Sequence, residues 1–313
     1  MSRFVQVSLF FIAVLTGPLV LAQGSDWQTL NTEIVSLSRQ GSYDRAIDLA
    51  QQALAIAEAS GGSHHPLVAV SLNNLALLYK TQGRYAEAAL LYERALMIKE
   101  TVLGPHHPNV AVGLHNLAEV CRAQGNTPRA EALYKRALMI KEKTLGSNHP
   151  SVAASLNNLA SLHRAAGEYE QAEPLYKRAL AIREKTLGKH HPSVATSLDN
   201  LGALYDAQGR HSQAESCYRR ALEIRETTLG TDDPLTAVSL DNLGGIYETQ
   251  GHFGRAELLY NRSLRIREKS FGRDHSETAR SLERLAALYR KSGRERAAVA
   301  LEQRAAAIRE TAR

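Results

Sequence analysis

Apolar residues return along this chain with a helical rhythm, and that rhythm itself repeats every 42 residues. Val152, Leu156, Leu159, Ala160 and His163 fall on one side of a helix, because positions three and four apart share a face. Gly167 then supplies the left-handed residue that closes a helix C-terminus. A second stripe, Ala172, Leu175, Tyr176, Ala179 and Ile182, predicts a second helix from about Glu170 to Leu187, ended by Gly188. Pro192 then opens the next helix, where its missing N–H costs nothing. In one repeat Asp233 precedes Pro234 as an N-cap.

The same marks recur in register. Gly41, Gly83, Gly125, Gly167, Gly209, Gly251 and Gly293 form one column, and Ala46, Ala88, Ala130, Ala172, Ala214, Ala256 and Ala298 another. Small alanines suit places where helices approach closely, and Tyr92, Tyr134, Tyr176, Tyr218 and Tyr260 fill the gaps beside them. A lone hairpin leaves its stripes wet, whereas stacked hairpins bury them in one continuous core. The expected fold is therefore all-α, a right-handed superhelical solenoid of about seven antiparallel helix hairpins. It consists of a degenerate unit over 26–61, five regular units over 66–275 and a capping unit over 276–313. The last unit has Ser276 in place of Pro and Glu302 in the tyrosine column, as an end with no following repeat requires.

Residues 1–22 read as an export signal. Arg3 precedes an apolar run, and Gly17-Pro18 breaks it shortly before the small-residue site at Ala22. The mature chain is expected to begin at Gln23 and to lie in the periplasm or outside the cell, without membrane insertion once the signal is removed. An uncleaved anchor is the alternative.

Hydrophobic content of 44% and charged content of 22% are ordinary for a soluble protein. A net charge of +6 is too dilute to argue for nucleic acid. The two cysteines, Cys121 and Cys217, lie in helices of different repeats and read as buried free thiols. Eight of the twelve histidines fall in loops, but no Cys or carboxylate cluster completes a ligand set, so helix-start roles are expected and no metal or other cofactor. No phosphate loop, zinc-protease helix or nucleophile elbow occurs, and no catalytic residue is assigned. Arg178, Arg183 and Lys185, interleaved with Glu184, have the mixed charge of a solvated outer face.

The spacing Leu198-x2-Leu201-Gly202-x2-Tyr205, followed by Ala214-x3-Tyr218 and Ala221, resembles the tetratricopeptide repeat. Segments such as Ser155-Leu-Asn-Asn-Leu-Ala160, Ile182-Arg-Glu-Lys-Thr-Leu-Gly188 and His191-Pro192 resemble its 42-residue kinesin-light-chain variety. The resemblance covers about Asp26 to Arg313. It implies a scaffold that binds another protein or peptide on a concave face lined by the first helix of each hairpin. A cell-wall or carbohydrate module and a non-catalytic regulatory subunit are the alternatives.

On that face Asn74, Asn116, Asn158, Asn200 and Asn242 form a column, lost at the ends where Thr32 and Arg284 stand. An amide that both donates and accepts matches the backbone of an extended peptide. The same column equally serves to bond neighbouring helices. Beside it, Lys80, Arg122 and Arg164 give way to Asp206 and Glu248, while Asn73, His115 and Asn157 give way to Asp199, Asp241 and Glu283. Such a gradient fits a ligand acidic at one end and basic at the other, or polar residues that merely face solvent.

Overall fold

The computed structural model describes residues 18–311, and side chains from residue 26. The predicted signal segment thus lies outside the described residues up to position 17, and its cleavage site lies where no side chains are described. Fourteen helices follow one another among the described residues, with no strand. They are α1 (Pro18–Arg39), α2 (Tyr43–Gly61), α3 (Pro66–Thr81), α4 (Tyr85–Leu103), α5 (Pro108–Ala123), α6 (Thr127–Leu145) and α7 (Pro150–Ala165). Then come α8 (Tyr169–Leu187), α9 (Pro192–Ala207), α10 (His211–Thr228), α11 (Pro234–Thr249), α12 (Phe253–Phe271), α13 (Ser276–Lys291) and α14 (Glu295–Thr311). The chain forms two compact units, an N-terminal one up to Leu162 and a C-terminal one from His163. Within each, helices pack on their neighbours in chain order.

Local chemistry explains the boundaries. Gly83 adopts φ +77°, which lets its N–H reach Lys80 O at 3.1 Å and the Arg84 N–H reach Tyr79 O at 2.9 Å. These paired bonds satisfy carbonyls that the end of α3 would leave open. The other glycines of the column repeat the positive φ. At the opposite ends, His65, His107, His149, His191 and His275 each use Nδ1 to accept the backbone N–H two residues on, at 3.1–3.2 Å. Asp233 does the same with a carboxylate oxygen at 2.8 Å. Five of the eight loop histidines are therefore helix caps.

The predicted stripes form the core. Val194, Ala195, Leu198, Ala221 and Ile224 make one fully buried cluster, with Leu180 and Cys217 against it. All five column tyrosines are buried. Both cysteines are free; Cys121 is buried and Cys217 half-buried. Burial raises both thiols, that of Cys217 to about 11.

Candidate functional site

The first-helix face carries both predicted polar columns, and the structure bonds one to the other. Asn74 Nδ2 donates to Asn31 Oδ1 at 2.8 Å, Asn116 Nδ2 to Asn73 Oδ1 at 2.9 Å, and Asn242 Nδ2 to Asp199 Oδ1 at 3.3 Å. Asn158 Nδ2 lies 3.4 Å from His115 Nδ1. Each bond joins a first helix to the first helix of the preceding repeat, so these amides stitch the stack. All four residues remain half-exposed. An amide has two donor hydrogens and two acceptor lone pairs, so one bond leaves it further capacity. Asn200 is half-exposed at the equivalent position, and Asn157, expected beside it on the open face, is 4% exposed and donates to Ala153 O at 3.0 Å.

The charged positions divide. Lys80 and Arg164 are half-buried, and Arg122 is exposed and paired with Glu119 at 2.9 Å. Asp206 contacts His211 at 3.1 Å. Glu248 accepts from the Tyr260 hydroxyl at 2.8 Å and meets Lys291 at 2.6 Å.

Asp199 and Asp241 turn inward. Asp199 pairs with Arg225 at 2.6 Å, and Asp241 with Arg267 at 2.7 Å. Arg225 and Arg267 are themselves buried and also donate to Ser239 and Ser281. Burial raises the Asp199 carboxyl above its ordinary value, and Arg225 pulls it back. The acidic end of the expected gradient is thus answered within the fold for these two residues. The sequence offered a signal for this. Lys99, Lys141, Arg183, Arg225, Arg267 and Arg309 form a cationic column 26 residues after Asn73, His115, Asn157, Asp199, Asp241 and Glu283. Arg183 belongs to it and corrects the expectation of a solvated outer face: it is half-buried and donates to Ser193 O at 3.0 Å and Ser197 Oγ at 2.8 Å. Among the described residues no three His, Cys, Asp or Glu side chains cluster to hold a metal.

The profile of the tetratricopeptide repeat matches residues 28–101, 91–143, 111–185, 151–227, 207–269 and 259–311. The chain belongs to the tetratricopeptide repeat family. Among solved structures, it is similar to nearly identical TPR-like repeats of kinesin light chain type from Podosopora anserina, at 30% identity over 65% of this chain and 97% of that one, TM-score 0.59. BtubC (BKLC) from P. vanneervenii is 29% identical over 78% of this chain and 92% of that one, TM-score 0.59. RapI in its apo form shares the fold at 15% identity over 91% of this tetratricopeptide chain and 98% of its own, TM-score 0.65. No curated protein matches the chain. Among the described residues no helix is long and apolar enough to cross a membrane.

Proposed function

We propose that this tetratricopeptide chain is an exported, non-catalytic scaffold that holds an extended segment of another protein along its first-helix face. The observation that carries this reading is the half-exposed asparagine column. The stitching bonds orient the amides of Asn74, Asn116, Asn158 and Asn242 while leaving each with hydrogen-bonding capacity for a peptide backbone. Asn200 continues the column. Asn73 and His115 fix its geometry in the N-terminal repeats, as Asp199 does for Asn242, while Asn157 bonds back to Ala153 O of its own helix. Lys80, Arg122, Arg164, Asp206 and Glu248 flank it and set preference among ligands, whereas Asp241 is paired with Arg267 inside the fold. A sugar platform is less well supported, because the column tyrosines are buried.

The test is capture from cell-envelope extract with the full chain and with a variant carrying Asn116→Ala and Asn158→Ala. Circular dichroism and thermal melting check that the variant folds. A partner retained by the parent and lost by the folded variant supports the reading. Equal retention moves recognition away from this face.

A further inference from the structure

In the C-terminal unit, three of the four cations of the second-helix column are met by a carboxylate; the fourth, Arg183, is held by Ser193 O and Ser197 Oγ instead. Arg225 of α10 has Asp199 of α9 and Ser239 of α11. Arg267 of α12 has Asp241 of α11 and Ser281 of α13, and Arg309 of α14 has Glu283 of α13. Each set spans adjacent helices.

The N-terminal unit keeps the cations and lacks these carboxylates. Lys99 stands on α4 and Lys141 on α6, but the acid positions are Asn73 and His115, both uncharged here. Burial and the nearby Lys141, Lys80 and Arg122 hold the His115 imidazole down at about 4, against the pull of Glu119. Glu119 is engaged by the Tyr134 hydroxyl and by Arg122. Lys141 retains its hydroxyl partner, Ser155 Oγ at 2.8 Å. Lys99 does not, because Gly113 replaces the serine of that column. Its Cδ lies 3.8 Å from the place a Cβ on Gly113 would take. Among the described residues Lys99 makes no ion pair or hydrogen bond. Burial pushes both ammonium groups down, as it does wherever a charge lacks an answering group.

We infer that Lys99 and Lys141 form a seat for carboxylate side chains of a bound protein segment. The inference rests on the scaffold reading and names the chemistry of its ligand. The partner's Asp or Glu takes the place that Asp199 and Asp241 fill from within the chain, which is why a carboxylate fits. The C-terminal unit demands no basic counterpart at Arg225 and Arg267, since their acids are already paired. Selectivity therefore resides in α3–α7, and the ligand is acidic rather than two-signed.

Random dodecapeptides displayed on phage and selected on the full chain test this. Selected peptides are then measured by fluorescence anisotropy against three variants. Asn73→Asp with Gly113→Ser rebuilds the internal carboxylate and hydroxyl around Lys99. The added Cβ meets Leu96 Cδ1 at 3.2 Å, a contact that a small side-chain shift relieves. Thr101→Glu, on the exposed side of α4, makes the same charge change elsewhere. Asn116→Ala probes the asparagine column. The expected result is enrichment in Asp and Glu, affinity about tenfold or more weaker in the rebuilt variant, and little change with Thr101→Glu. A higher melting temperature in the rebuilt variant shows that it folds; Asn73→Asp alone serves if Gly113→Ser does not fold. Peptides that need Asn116 yet carry no acidic enrichment, or that bind the rebuilt variant equally, overturn the seat and leave the scaffold reading standing. Peptides indifferent to Asn116 as well, or no selected peptide at all, count against both.

Discussion

Arg267 is 2% exposed, with its guanidinium shared among Asp241, Ser263 and Ser281. Moving such a group out of water costs several kcal/mol, and only a full set of partners offsets it. Asp241→Asn removes the charge that answers it. The expected loss is about 3 kcal/mol in urea denaturation, with Glu277 at 3.6 Å holding the effect to the low end of its range. A smaller effect belongs to the helix caps. His107→Ala should cost about 1 kcal/mol, whereas His107→Asp should cost nothing, since Asp233 already performs that task at the equivalent position three repeats on. Thermal melts of the two variants distinguish these outcomes. The acidic column was visible in sequence, but its burial was not. Residues 26 apart lie on different helices, and nothing in the local charge pattern of Arg183-Glu184-Lys185 says which cation turns inward.

Second helices of consecutive repeats are joined by a further ladder of charges. Glu58 pairs with Arg94, Glu184 with Arg220, Glu226 with Arg262 and Glu268 with Arg304, all at 2.5–2.6 Å and 36 residues apart. These partners are partly exposed, so each pair contributes little alone. A double-mutant cycle on Glu226 and Arg262 should return a coupling below about 1 kcal/mol. Glu173 is different in kind. Arg210 first, then Lys177, hold its carboxyl down to about 2. A carboxyl lowered by folding stabilises fully above its ordinary value near 4.5, and that contribution is lost as pH falls through 2. Glu173→Gln should therefore lower stability at neutral pH, converge with the parent near pH 2 and so flatten the acid limb of stability against pH. Helix boundaries themselves were legible, because glycines, prolines and periodic apolar residues act locally. The observed second helix of the third regular repeat begins at Tyr169, one residue before the expected Glu170.

Hairpin arrays gain stability mainly from nearest neighbours, so a change of chemistry from one repeat to the next changes stability along the chain. Buried carboxylate–guanidinium sets hold the C-terminal unit, while Lys99 lacks any such partner in the N-terminal unit. Hydrogen exchange should find amides of α3–α5 protected roughly tenfold less than those of α9–α12. Equal protection would mean that apolar packing alone sets local stability. The repeating architecture was readable from the 42-residue step, since so many positions vote together. The difference between the units was not, because it lies in pairings across helices rather than in any one column.

The free thiols carry a consequence of their own. Cys121 belongs to the N-terminal unit and Cys217 to the C-terminal unit, and neither is cross-linked. Burial raises both thiols, so the closed forms hold little thiolate to react. An alkylating reagent then modifies each cysteine chiefly when its surroundings open. The protein thus contains two chemical clocks, one per unit, and their labelling rates time the local opening of each unit separately, with no residue introduced as a reporter.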